Sequence, residues 1–174
     1  MNFKLPSING TTVSLDNYPD AKGIVVVFTC NHCPYVIAYE QRIMDLQEKY
    51  ADKGYPLIAI SSNDVKRYPQ DSFENMKERS QQKGFKFPYL YDETQEIAKD
   101  YGAERTPHAY LIAKGDDGEY QIKYKGAIDD NLENPSAVTQ RFLEAAIDQF
   151  DQGEDIMVKE TPPVGCTIKW KEEL

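Results

Sequence analysis

The sequence predicts a three-layer α/β sandwich around a mixed central sheet, and three observations carry that prediction. Unbroken apolar runs at Ile24–Phe28 and Leu57–Ile60 have the length and composition of strands buried on both faces. Around them, apolar residues recur at spacings of three and four, the mark of helices that bury one face. Near the end, two alternating segments flank a turn rich in Gly and Asp, which adds antiparallel strands to the sheet.

Each element follows in order. Residues 1–16 read as a β-hairpin capping the sheet, because short alternating runs meet at Asn9-Gly10, a two-residue turn signal. The strand at 24–28 runs into Cys30-Asn31-His32-Cys33. From Pro34, which suits a first helical turn, Val36, Tyr39, Ile43, Leu46 and Tyr50 mark one helix face as far as Lys53-Gly54. The strand at 57–60 precedes a second helix, with Asp71-x-x-Glu74 as its capping box, Phe73 and Met76 as a thin apolar face and Gly84 as its stop. Phe87–Tyr91 is a small edge element. Asp92-x-x-Gln95 opens a short helix through Ile97, Ala98 and Tyr101 that ends at Gly102. A loop holding Thr106-Pro107 leads to a hairpin, Ala109–Ala113 and Tyr120–Tyr124 about Lys114–Gly118. The last helix is expected from about Ser136, burying Val138, Phe142, Ala146 and Phe150, and residues 153–174 form an extended tail without periodicity.

Composition bounds the function. The chain has 174 residues, 40% of them hydrophobic, enough for one domain spanning 1–174. A net charge of −9 argues against nucleic acid or an anionic membrane as partner, since both reward clusters of Lys and Arg. No stretch approaches the ~20 apolar residues of a membrane span, and the residues after Met1 lack the apolar core of a signal peptide. The expected location is therefore the cytoplasm. Three cysteines are too few for a disulfide-stapled secreted fold, so in a reducing compartment Cys30 and Cys33 read as catalytic or metal-binding.

Thiol–disulfide exchange needs an attacking thiolate, and the start of a helix supplies one. Its unpaired amides and dipole favour negative charge, lowering a thiol from about 8.5 towards neutrality. Cys30 is thus expected to be partly exposed and to attack, while Cys33, one turn on, resolves the mixed disulfide. A cationic His32 between them would stabilise the Cys30 thiolate and favour the reduced form. Two other readings use the same residues. Cys33 could serve a thiol peroxidase, or Cys30, His32, Cys33 and Cys166 could offer ligands to zinc in a metal-binding or redox-sensing module. Cys166 is a candidate resolving cysteine that folds back on the dithiol, or a small buried hydrophobe in a docked tail. Glu40 reads as a surface or hydrogen-bonded helix residue, and His108 as structural.

The hairpin, Val25-Val-Val-Phe-Thr-Cys-Asn-His-Cys-Pro34, Tyr91-Asp-Glu-Thr-Gln-Glu-Ile-Ala-Lys-Asp-Tyr-Gly102, Thr106-Pro107 and Gly165-Cys-Thr-Ile-Lys-Trp170 together resemble the thioredoxin superfamily. The likeness is to its redoxin branch, which includes AhpC/TSA-like and peroxiredoxin-like proteins. The resemblance implies a thioredoxin fold and a disulfide oxidoreductase without a cofactor or bound metal. Its partners would be protein or small-molecule thiols and disulfides, with a separate thiol reductant. It also implies a cis Thr106–Pro107 bond facing the dithiol, with Thr106 offering backbone groups to an extended substrate. His32 implies a couple less reducing than thioredoxin's, at about −270 mV. Four positions depart from the family pattern. Ile24 replaces the buried Asp of thioredoxins, Val36 replaces a Glu of related reductases, and Val26 and Cys30 stand where peroxiredoxins carry Pro and Thr.

Overall fold

The computed structural model describes residues 1–172. The hairpin forms from β1 (Lys4–Pro6) and β2 (Thr12–Ser14), antiparallel, with Gly10 at φ +88° in the turn where a side chain would be strained. The central sheet contains β3 (Ile24–Thr29), β4 (Leu57–Ser61), β5 (Tyr89–Tyr91), β7 (His108–Lys114) and β8 (Tyr120–Gly126). Its order is β5-β4-β3-β7-β8. The first three strands are parallel, and β7 and β8 join antiparallel. Every residue of β3 is buried, as expected of a strand covered on both faces.

Alternation along β3 divides the core in two. Val25 and Val27 face α1 (Pro34–Tyr50) and α4 (Phe142–Asp151), meeting Tyr39, Ile43, Leu143 and Ile147. Ile24, Val26 and Phe28 face the hairpin and α3 (Glu96–Tyr101), meeting Leu5, Leu15, Ala98 and Tyr101. The result is the expected sandwich. α1 ends in a 3₁₀ turn, Ala51–Lys53, and Gly54 at φ +98°.

Three local expectations are corrected. The last helix starts at Phe142, not near Ser136. Asn134 accepts from the Ser136 amide at 2.9 Å and Asp130 from the Thr139 amide at 3.0 Å, which holds this stretch in turns. Its core face is Leu143, Ala146 and Ile147, while Val138 is only half-buried. The second helix, α2 (Phe73–Lys83), is capped by Ser72, whose hydroxyl accepts from Asn75 N at 3.2 Å, and not by Asp71. Asp92 caps α3 from further back, accepting from Ala98 N at 3.0 Å and Ser62 Oγ at 2.8 Å, so no Asp92–Gln95 box forms. Glu40 is a buried residue of α1 that accepts from Arg79 Nε at 2.8 Å.

The tail has structure where the sequence shows no period. β9 (Cys166–Thr167) pairs antiparallel with β6 (Arg105–Thr106), and Ile168 enters the core at 2% exposure.

Candidate active site

β3 ends at Thr29 and α1 begins at Pro34, so the motif Cys30–Cys33 spans the corner between strand and helix. Cys33 is the N-cap residue of α1, and no side-chain oxygen caps the helix. Cys33 thus stands at the positive end of the helix dipole, although its side chain makes no capping hydrogen bond with the first turn. Thr106–Pro107 is cis, and Thr106 faces both cysteines. Thr106 Oγ1 lies 3.6 Å from Cys30 Sγ, and the Thr106 carbonyl oxygen lies 3.6 Å from Cys33 Sγ.

The tail strand brings the third cysteine to the same point. Thr106 and Cys166 are register partners, and Cys166 is joined to Cys33 by a disulfide with Cα atoms 6.4 Å apart. That separation falls in the usual range for such a bond. Cys30 is the free thiol. The structure thus gathers all three cysteines, His32, Thr106 and Pro107, but its disulfide joins Cys33 to Cys166 and not Cys30 to Cys33.

Cys30 differs from the partly exposed thiol expected of it. With Cys166 packed against the Cys30–Cys33–Val36 cluster, Cys30 is only 3% exposed. Burial pushes its thiol up to about 11, and the Asp71 carboxylate pushes the same way. The Thr106 hydroxyl and the Cys33 and His32 amides oppose this and are outweighed.

Asp71 is the site residue that the sequence reading misses. It is fully buried, and its Oδ1 accepts from the Asn31 amide at 2.8 Å while Oδ2 accepts from Asn63 Nδ2 at 2.9 Å. His32 Nδ1 lies 2.9 Å from Oδ2, though not along a hydrogen-bond direction, and its ring stacks on Tyr68 at 6.2 Å. Asn31 ties the corner to its surroundings, donating to the Gln70 carbonyl at 3.0 Å and accepting from Tyr89 OH at 2.8 Å. Cys30 Sγ, a His32 ring nitrogen and an Asp71 oxygen lie within 4.8 Å of one another, three donor types that zinc accepts. Two of the four ligands expected from sequence, Cys33 and Cys166, are instead taken up by the disulfide. His108 is buried, its Nδ1 accepting from the Glu104 amide at 3.2 Å.

A strand leading into a Cys-x-x-Cys helix start, faced by a cis-proline loop, defines a protein of the thioredoxin fold. Residues 1–125 match the AhpC/TSA family, and the chain belongs to that family. It is similar to the thiol-disulfide oxidoreductase ResA of Bacillus thuringiensis subsp. konkukian, 28% identical over 128 residues, 72% of this chain and 66% of that protein. The chain thus aligns with slightly under two thirds of that relative's length. It also resembles an uncharacterized conserved protein from Geobacillus kaustophilus, with TM-score 0.90 and 38% identity over 100% of this chain and 91% of the other. The pneumococcal exposed lipoprotein thioredoxin of Streptococcus pneumoniae strain TIGR4 shares the fold, with TM-score 0.63 and 16% identity over 85% and 99% of the two chains.

Proposed function

We propose that this protein is a thiol–disulfide oxidoreductase in which Cys33 carries the mixed disulfide and Cys30 resolves it. The observation that carries this is the convergence of three sulfurs at the start of α1, against the cis Thr106–Pro107 loop. Cys33, at the positive helix end, has the setting that stabilises a departing or attacking thiolate. Cys30, buried and protonated, has the character of the inner thiol that attacks second. The roles are therefore the reverse of those expected from sequence alone.

The exchange is balanced. Once a thiol reductant has opened the Cys33–Cys166 bond, Cys33 attacks a substrate disulfide, which loses one sulfur as thiol and leaves the other bonded to Cys33. Cys30 then attacks Cys33 Sγ, its proton passing to the departing sulfur, which leaves as the second substrate thiol; the Cys30–Cys33 disulfide that remains must be opened by an external thiol reductant. His32 and Asp71 sit beside the attacking sulfur and set its charge environment. The name of the ResA relative supports this reading, and Val26 and Cys30, in place of the Pro and Thr of peroxiredoxins, weigh against peroxide turnover. The reading includes action in the cytoplasm, where reduced thiols supply the reductant.

Insulin disulfide reduction and hydroperoxide turnover, measured side by side on wild type, Cys33→Ser and Cys30→Ser, test it. Wild type should reduce insulin, Cys33→Ser should not, and Cys30→Ser combined with Cys166→Ser, which leaves no second thiol to resolve it, should stall as a covalent adduct on Cys33 visible by mass. Rapid peroxide turnover by wild type, or full insulin activity in Cys33→Ser, overturns it.

A further inference from the structure

Asp71 carries a charge that its surroundings do not neutralise. Its carboxylate is fully buried, and among the described residues its only ion-pair partner is the His32 ring. A buried carboxylate is costly to keep unless a cation stands beside it. A protonated His32 would serve if its Nδ1–H pointed at Oδ2. Nδ1 is instead buried with no hydrogen-bond partner, although Oδ2 lies 2.9 Å away. An imidazole nitrogen and a carboxylate oxygen that close, with no proton between them, repel through their lone pairs. A metal ion lying against both turns that repulsion into shared coordination.

The rest of a metal site is already built. Cys30 Sγ completes a set of one sulfur, one nitrogen and one oxygen, all within 4.8 Å of one another. Neighbouring ligands on a tetrahedral zinc ion stand roughly 3–4 Å apart, so a small turn of the Cys30 side chain closes the set. Asp71 is steadied from behind, by Asn31 N on Oδ1 at 2.8 Å and Asn63 Nδ2 on Oδ2 at 2.9 Å. Such outer hydrogen bonds fix the orientation of a ligating carboxylate. Tyr68 stacks on the His32 ring, and that side chain is 30% exposed, which gives an ion a way in from solvent. The disulfide takes Cys33 and Cys166 out of the set but leaves Cys30 a free thiol.

We propose that Cys30, His32 and Asp71 form a binding site for a zinc-class divalent cation, open while Cys30 is a free thiol, as in the Cys33–Cys166 state, and closed when Cys30 enters a disulfide. Thiolate, imidazole and carboxylate together suit zinc, whereas magnesium and calcium take oxygen ligands and copper(I) favours sulfur. On binding, the Cys30 S–H bond breaks, a sulfur–zinc bond forms, the proton leaves to solvent and no electron moves. The fourth position stays open to water. The ligand set stands without the exchange reading. Joined to that reading it adds a control: a bound ion occupies the sulfur that resolves the mixed disulfide, so metal holds turnover back.

The test uses the full chain carrying Cys33→Ser and Cys166→Ser, in which Cys30 is the sole thiol, with zinc and cobalt(II) as probes. If that chain does not fold, oxidised wild type takes its place, since its Cys33–Cys166 bond leaves the same thiol free. Competition against a coloured zinc chelator should give one zinc per chain. Cobalt(II) should show a thiolate-to-cobalt charge-transfer band together with the strong visible absorption of a four-coordinate ion, and adding Cys30→Ser should remove the band. His32→Ala, at a partly exposed position, should weaken zinc by at least about tenfold, the scale on which even an outer partner of a metal counts. Asp71→Asn, checked for folding by circular dichroism, should do the same. Zinc held as tightly after His32→Ala, or a folded chain whose cobalt spectrum lacks the thiolate band, overturns this inference. Neither result touches the exchange reading, which is scored on Cys33 in the insulin assay.

Discussion

The raised thiol of Cys30 makes a quantitative demand on its chemistry in the oxidised protein. With Cys33 and Cys166 joined, Cys30 is the free cysteine, so its alkylation can be followed without interference. A thiol titrating at about 11 holds about one part in ten thousand as thiolate at pH 7, against about three per cent for an ordinary cysteine. That is a deficit of about 300-fold. A more basic thiolate is a better nucleophile, and a Brønsted slope of about 0.4–0.5 returns roughly tenfold. Cys30 should therefore react with iodoacetamide about 30-fold more slowly than free cysteine, and slower still because it is only 3% exposed. The rate, quantified by mass, should climb about tenfold per pH unit up to at least pH 9.5. An intact oxidised protein that alkylates as fast as free cysteine, or whose rate levels off near pH 8, refutes the burial argument.

Two further outcomes concern stability. Burial, aided by Lys125, lowers His108 from its usual value to about 4. The unfolded chain binds this proton between about pH 6.5 and 4 while the folded chain does not, so stability is full above about pH 6.5 and lost as pH falls towards 4, by about 3 kcal/mol. His108→Phe should flatten that part of a melting-temperature profile, and an unchanged acid limb contradicts the assignment. Arg79→Ala strands the buried Glu40 carboxylate, costing about 3 kcal/mol and lowering Tm by about 6–12 °C. A shift under one or two degrees in calorimetry would show that water reaches Glu40.

What the sequence revealed follows the range of the interactions that decide each feature. β3, α1 and the two hairpins are set by local periodicity and turn chemistry, and they appear where that periodicity puts them. The start of α4 went astray because 138, 142, 146 and 150 keep helical spacing, while Asn134 and Asp130 bond the backbone into turns that spacing cannot reveal. Asp71 was misread for a related reason. Asp-x-x-Glu is a genuine local cap signal, but the carboxylate finds stronger use on Asn31, forty positions earlier in the chain and unreachable by any window. The tail was legible only as a motif. A two-residue strand has no period, and its register depends on Gly165 meeting a loop far away in sequence. The cysteine pair stood out because two sulfurs and a proline at a strand-to-helix corner are a short-range pattern.

Asn31 has a consequence for motion. Its side chain fastens the redox corner to the edge strand through Tyr89 and to the 3₁₀ turn before α2 through Gln70, while its amide is fastened to Asp71. Three anchored atoms of one small residue make the dithiol corner the stationary part of the machine. Whatever travels when the sulfurs trade bonds has to be the chain arriving at it, so relaxation and hydrogen-exchange signals of turnover belong to positions 161–171 and not to the corner itself.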